Sequence, residues 1–376
     1  MMIGGFLGAG KTTLMRHVAH VLQKEGKEVG LITNDQSHGL VDTLLLRTDG
    51  FATEEIGGGC FCCRFDSLVD AAATLTAANR PDMFLAEPVG SCTDLKATVD
   101  YPLRQMYGDR FEVLPFTVLV DPVRALRLLG VEAGKRFSDN VRYIYLKQLE
   151  EADIILINKS DLLDDERLVN LIDAIHARFK GSKVMTISAR SGVGVASWMD
   201  YMFGGVYETN VAVPTVDYQR YSEGEAALGW LNANIEISHE VLFDGNALLM
   251  MLITSLQESF SKQDEEIAHL KMTLLPSEMA TDLGVANLVS TDGQPLLSYP
   301  LQDQVKGGLI TLNLRAVVDA TVLKKRVSKL IASVMDMQKI TFNIKEMAAF
   351  SPGKPSPTHR IAVLDDQRST AKKRVV

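Results

Sequence analysis

The stretch GFLGAGKT, residues 5–12, decides how the rest of the chain is read. It fits G-x-x-x-x-G-K-[ST] at every fixed position. The glycines let backbone N–H groups turn inward around phosphate oxygens, and a helix starting directly behind points its positive end the same way. That helix is legible in KTTLMRHVAHVLQ (11–23), where Leu14, Val18 and Val21 recur at helical spacing and Gly26 offers a stop. In such a loop Lys11 reaches the β- and γ-phosphates, and the Thr12 hydroxyl faces Mg²⁺. A strand should precede it, and only Met1 to Gly4 are available. Either the first strand is very short or the natural start lies upstream.

Outward from the loop, one form repeats. EVGLITND (28–35), DMFLAEP (82–88), FTVLVDP (116–122), ADIILINKSD (152–161) and KVMTISA (183–189) are short apolar runs ending in polar residues. Helical patterns such as DERLVNLIDAIHARF (165–179) lie between them. This alternation predicts an α/β fold, a P-loop NTPase with a mostly parallel sheet flanked by helices over residues 1–205. Ligands gather at the carboxyl ends of such strands, where the polar residues stand. After a linker at 206–220 the texture changes. Strands at 230–238, 268–275, 285–291 and 308–317 and helices at 245–263 and 319–335 predict a small α+β domain over 221–345. Their order, β-α-β-β-β-α, admits a ferredoxin-like sandwich. Residues 346–376 are Pro-rich and basic and read as a disordered tail.

NKSD (158–161) points to the base. Behind a P-loop and after a strand, the Asp161 carboxylate accepts from the guanine N1–H and 2-amino group, a pair of donors adenine lacks. Asn158 and Lys159 brace the loop, and Ser188-Ala189 at the next strand end offers a backbone contact to the guanine carbonyl. Glu87, ending the strand FLAE, is placed to face Mg²⁺ as an acidic residue does in P-loop proteins. Asp35 is the second acidic candidate, a turn residue being its equal alternative.

GGGCFCC (57–63) crowds Cys60, Cys62 and Cys63 into four positions, and the chain has one further cysteine, Cys92. Thiolates suit soft ions such as Zn²⁺ or another transition metal. The alternatives are buried small hydrophobes and a redox sensor. Gly59 and Arg64 suggest an exposed turn, with Arg64 able to lower a thiol pKa. For a fourth ligand His38 and Asp42 lie in the expected switch segment, each otherwise a solvated loop residue. Cys92 reads as a packing residue. His17 and His20 read as helix-surface residues, and Met250 and Met251 as part of a core helix.

With these pieces in order, GFLGAGKTT (5–13), GGGCFCC (57–63), EPVG (87–90) and NKSD (158–161), the chain resembles the CobW-like GTP-binding family of SIMIBI-class P-loop GTPases. The resemblance covers about the first 200 residues, and CxCC is its most specific element. It implies binding and slow hydrolysis of GTP with Mg²⁺, and binding of a transition metal, often zinc, for delivery to client metalloproteins. Carried over by position, Gly8, Ala9, Gly10, Lys11, Thr12 and Thr13 take phosphate and Mg²⁺ roles and Glu87 an Mg²⁺ role. Asn158, Lys159 and Asp161 take the guanine, and Cys60, Cys62 and Cys63 the soft metal. Lys11, Thr12, Glu87 and Asp35 are the catalytic candidates. Two departures stand out. Many members read Asn-Glu-Phe-Gly where this chain has Asn34-Asp35-Gln36-Ser37, and the His-rich stretch of many members is missing, which argues against metal storage.

The formal charge of -8 argues against a general nucleic-acid binder. No apolar run reaches the roughly 18–20 residues of a membrane span. The N-terminus lacks a basic n-region, so a cytoplasmic protein with reduced thiols is expected. A homodimer is one option for assembly. The leading expectation is a GTP-driven metallochaperone. The rival is a GTP-dependent interaction switch with redox-sensing cysteines.

Overall fold

The computed structural model describes residues 1–36, 41–135, 137–206, 213–278 and 282–364. Seven short strands build the first sheet: β1 (Ile3–Gly5), β2 (Val29–Asn34), β3 (Ala52–Ile56), β4 (Met83–Glu87), β5 (Thr117–Val120), β6 (Ile154–Ile157) and β7 (Lys183–Thr186). All pairings are parallel, in the orders β3-β2-β4 and β1-β5-β6-β7, and a bridge between Met2 and Ala86 joins the halves. β5 and β6 are buried on both faces, so their apolar runs do not alternate with polar residues. The two faces still separate cleanly. Leu119, Ile154 and Leu156 join one apolar cluster with α1 (Lys11–Lys24). Val118, Val120, Ile155 and Ile157 join another with α3 (Phe65–Asn79). Between these helices runs α2 (Val41–Thr48). Further along come α4 (Tyr101–Tyr107), α5 (Pro122–Leu128), α6 (Asp139–Glu150), α7 (Asp165–Arg178), α8 (Val195–Phe203) and α9 (Tyr218–Ala226).

The second domain is β8 (Gly229–Phe243), α10 (Gly245–Lys262), β9 (Ile267–Pro276), β10 (Gly284–Leu288), β11 (Leu296–Tyr299), β12 (Val305–Ala316), α11 (Ala320–Gln338) and β13 (Thr341–Phe350). Its antiparallel sheet runs β11-β10-β9-β12-β8-β13. Without the β10–β11 hairpin this is the ferredoxin-like β-α-β-β-α-β order. Met250 and Met251 pack against its core.

The structure differs from the sequence reading in three places. β3 is a strand although ATEEI carries two glutamates. It is an edge strand pairing only with β2, so Glu54 and Glu55 stay half-buried. α9 starts inside the expected linker, capped by Asp217, whose carboxylate accepts from Gln219 and Arg220 N–H. The expected tail from residue 346 is ordered through 364. Residues 346–350 complete β13 against β8, where main-chain pairing outweighs an unremarkable composition. Residues 351–364 then cross the nucleotide-binding domain with Pro352 and Pro355 buried. The KKR run at 372–374, like His38 and Ser37, lies outside the described residues.

Candidate nucleotide cleft and thiol cluster

The P-loop connects β1 to α1. Gly8 and Gly10 have φ of 76° and 96°, and a Cβ on Gly10 would lie 2.3 Å from the Asn158 amide nitrogen. Only glycine fits there. Asn158 donates to Ala9 O at 2.8 Å and accepts from Ala189 N–H at 2.9 Å. Lys159 donates to Gly8 O at 2.7 Å and pairs with Asp121 at 2.8 Å. The NKSD turn therefore clamps the P-loop between the ends of β5, β6 and β7. Asp161 is exposed and lines the cleft with Ser188, Ala189 and Arg190.

At the other end, the Thr12 hydroxyl donates to Glu87 Oε2 at 2.8 Å, and Lys11 Nζ lies 3.7 Å from Glu87 Oε1. Burial pushes the Glu87 carboxyl up to about 7 against the opposing charge of Lys11. Thr13 follows on the first turn of α1 and also lines the cleft. Asp35 sits in the same cleft, engaged by Arg315 of the second domain at 2.9 and 3.2 Å. Asp42 is not a solvated loop residue. It lies in α2, beside Thr12, and pairs with Lys271 of the second domain. Burial opposes its ionisation, but Lys271 holds its carboxyl down to about 2. His17 and His20 face the cleft wall, and His20 lies 3.4 Å from Asp49.

Arg124, at the start of α5, donates to Leu7 O in the P-loop and to Ala268 O and Val289 O across the domain boundary. The cleft holds about 970 Å³ and is shared by both domains. Asp121 was legible in principle, being the polar end of FTVLVDP. Arg124, Lys271 and Arg315 carry no local signal, because tertiary docking alone brings them to the site.

The thiols sit behind β3. Asn34 on β2 donates to Ile56 O at 2.9 Å and Gly59 O at 2.7 Å, holding the glycine run against the sheet. Cys60 O then accepts from Cys63 and Arg64 N–H at 3.0 and 2.9 Å, making the turn that brings the sulfurs together. Sγ separations are 2.7 Å for Cys60–Cys62, 3.3 Å for Cys60–Cys63 and 3.7 Å for Cys62–Cys63. The turn is not exposed. Cys60 and Cys62 are 2% and 1% accessible, because residues 351–364 lie over it. Ser356 N–H donates to Cys63 Sγ at 3.2 Å, and Thr358 N–H to Cys62 O at 2.9 Å. Arg64 turns away to Gly58 O, so it does not act on the sulfurs. The neighbouring thiols raise Cys62 well above the ordinary range.

The CobW/HypB/UreG nucleotide-binding domain family matches residues 1–186. Residues 1–186 form a CobW/HypB/UreG nucleotide-binding domain. Over 218 residues the chain is 29% identical to the zinc chaperone CobW of Sinorhizobium sp, covering 51% of this chain and 58% of that protein. Over 162 residues it is 32% identical to the zinc chaperone YeiR of Escherichia coli (strain K12), covering 43% and 46%. The matched part thus spans about half the length of these curated relatives. Among solved structures, Zn(II)-bound YjiA GTPase from E. coli aligns over 89% of this chain and 97% of its own, at 15% identity and a TM-score of 0.33. HypB from Helicobacter pylori in complex with nickel aligns over 54% and 84%, at 14% identity and a TM-score of 0.40.

Within the CobW/HypB/UreG domain, one segment touches both sites. Glu87 contacts Thr12, and a Cβ on Gly90 would lie 3.1 Å from Lys11 Nζ and 3.0 Å from Leu7 N. Two residues later Cys92 Sγ lies 3.7 Å from Cys62 Sγ. Among the described residues no helix is long and apolar enough to cross a membrane.

Proposed function

We propose that this chain is a GTP-hydrolysing metallochaperone that carries Zn²⁺ or a similar soft ion at Cys60, Cys62 and Cys63 and passes it to a client metalloprotein. The observation that carries this reading is the set of three sulfurs within 4.8 Å of one another, at the carboxyl end of the same sheet that bears the P-loop. Gly8 to Thr13 hold the phosphates, Lys11 neutralises the terminal ones, and Asp161 with Asn158, Lys159, Ser188 and Ala189 selects guanine. Thr12 and Glu87 fit Mg²⁺, since hydroxyl and carboxylate already meet as hard oxygen donors. When bound, that ion supplies charge neutralisation at the phosphates. Asp35 serves the cleft through Arg315, as part of the contact between domains.

Because Gly90 packs on Lys11, a γ-phosphate arriving at Lys11 meets Gly90, and the EPVG segment relays its position to the thiol side. The burial of Cys60 and Cys62 weighs against the redox-sensor alternative, which calls for accessible thiolates. The test is Zn²⁺ titration of reduced wild type, the triple Cys60→Ser, Cys62→Ser, Cys63→Ser protein and Lys11→Ala. The triple variant should lose the ion and keep GTP. Lys11→Ala should lose roughly 10²–10³-fold or more in GTP turnover and keep the ion. Equal Zn²⁺ binding by wild type and triple variant would sink the metal reading.

A further inference from the structure

Cys92 lies 32 residues from Cys60 in sequence, outside the CxCC turn, yet its sulfur stands at van der Waals distance from Cys62. A tetrahedral zinc–thiolate site with Zn–S near 2.3 Å has S···S edges of about 3.8 Å. Cys62–Cys63 and Cys62–Cys92, both 3.7 Å, already match that edge. Cys60–Cys63 is at 3.3 Å and Cys60–Cys62 at 2.7 Å, while Cys92 stands outside the set of three whose sulfurs all lie within 4.8 Å of one another, so a four-sulfur cradle forms only when Cys60 and Cys92 adjust around the ion. We propose that Cys92 is the fourth thiolate of the site, converting the CxCC triad into a Cys₄ cradle.

The turn that carries Cys92 is built rather than incidental. Cys92 N–H closes it on Val89 O at 2.9 Å. Gln148 of α6 donates to both Gly90 O and Cys92 O, at 3.0 and 2.8 Å. On its other side α9 holds it, with Ser91 donating to Glu225 at 2.6 Å and Thr93 N–H donating to Tyr221 at 3.3 Å. These five hydrogen bonds fix the backbone of the turn from which the Cys92 side chain projects. The consequence is functional. Three ligands ride on the loop after β3, whereas the fourth rides on the segment that touches Lys11. A displacement of Gly90 by the γ-phosphate therefore moves one ligand relative to the other three. Four thiolates close the site for retention, and shifting one opens a position for a client's ligand.

This inference rests on the metal reading above, and the experiment separates the two. X-ray absorption at the zinc edge, with Co²⁺ charge-transfer spectra, is measured on reduced full-length wild type, Cys92→Ser, Cys92→Ala and Cys62→Ser. The expected result is four sulfurs in wild type and three in both Cys92 variants, with affinity for Zn²⁺ lower by at least the roughly 10–100-fold that loss of an outer partner costs. Retained GTP binding shows that each variant is folded. Three sulfurs in wild type, or an unchanged spectrum in both Cys92 variants while Cys62→Ser loses the ion, overturns the role of Cys92 and leaves the metal reading intact. Absence of any zinc–sulfur shell in wild type overturns both.

Discussion

The two faces of the nucleotide-binding domain differ in how they treat their carboxylates. On the cleft face three carboxylates meet cations. Asp35 meets Arg315, Asp42 meets Lys271 and Asp121 meets Lys159. On the thiol side Asp94 pairs with Arg360 and Asp153 with Lys96, but Glu151 and Glu225 are buried with hydrogen-bond donors only, and burial pushes both carboxyls up to about 8. The first arrangement keeps charges ready to be exchanged for an anionic ligand. The second holds protons and excludes water around soft sulfur ligands, whose own deprotonation must accompany metal uptake. Glu87, pushed up to about 7, stands between them in environment. The difference teaches that one short segment, residues 87–92, joins a charge-paired cleft to a buried thiol side where two carboxyls stay protonated.

The largest effect should come from the cleft face alone. Asp161→Asn turns one acceptor oxygen into a donor facing the guanine N–H groups. GTP affinity should fall by about 2–4 kcal/mol, the scale for removing a charged partner from a hydrogen-bonded site. Calorimetry with GTP and ATP checks this, and wild type must prefer GTP. Zn²⁺ affinity without nucleotide should stay as it is. If it fell in parallel, the two faces would not be separable.

How much of this was legible follows from where the determinants lie. The P-loop, NKSD, EPVG and CxCC are local strings at strand ends, so order and spacing placed them. The parallel strands announced themselves as apolar runs. The failures are non-local. β3 is an edge strand with two glutamates, and an apolar-run criterion passes over it. β13 is defined by its register against β8, about 110 residues earlier in the chain. Lys271 and Arg315 reach the cleft only because the domains dock. Cys92 does pack in the apolar core as read, but its nearness to Cys62, 30 positions away, follows from no spacing rule.

A smaller effect tests the thiol side. Glu151 accepts from Thr93 Oγ at 3.1 Å and Lys96 N–H at 3.0 Å, just beyond Cys92. Its carboxyl is raised by burial from 4.5 to about 8, so the folded protein keeps a proton that the unfolded chain releases. The stability it contributes is whole below about pH 4.5 and is lost as pH rises toward 8. Glu151→Gln mimics the protonated acid, with its amide donating to Thr93 and its carbonyl accepting from Lys96. Between pH 6 and 7 wild type should therefore lose up to about 1.4 kcal/mol more stability than the variant. Denaturant unfolding at the two pH values, with metal-free protein, measures it. Parallel pH profiles would mean that Glu151 is ionised in the folded protein.

The smallest effect concerns what keeps the thiol side dry. Residues 351–364 are tied down by Arg360, which donates to Asp94 at 2.8 and 3.2 Å, and by Ile361 N–H bonded to Ala97 O at 2.8 Å. Asp94 is buried and also accepts from the Tyr218 hydroxyl at 2.6 Å, so it keeps a partner when Arg360 is removed. The arginine side chain is 37% accessible, and solvent screening limits the pair to about 1 kcal/mol or less. Arg360→Ala should then free the segment more often without unfolding the domain. A difference of about 1 kcal/mol raises the open fraction roughly fivefold. Thiol labelling of reduced, metal-free protein with the half-buried Cys63 changed to Ser reads that fraction, because Cys60 and Cys62 are 2% and 1% accessible. Labelling should accelerate by up to that factor while GTP affinity holds, since none of the bonded residues touches the P-loop. An unchanged labelling rate would show that the thiols are reached by another route, and the contrast between an open cleft and a covered one would have to be redrawn around that route.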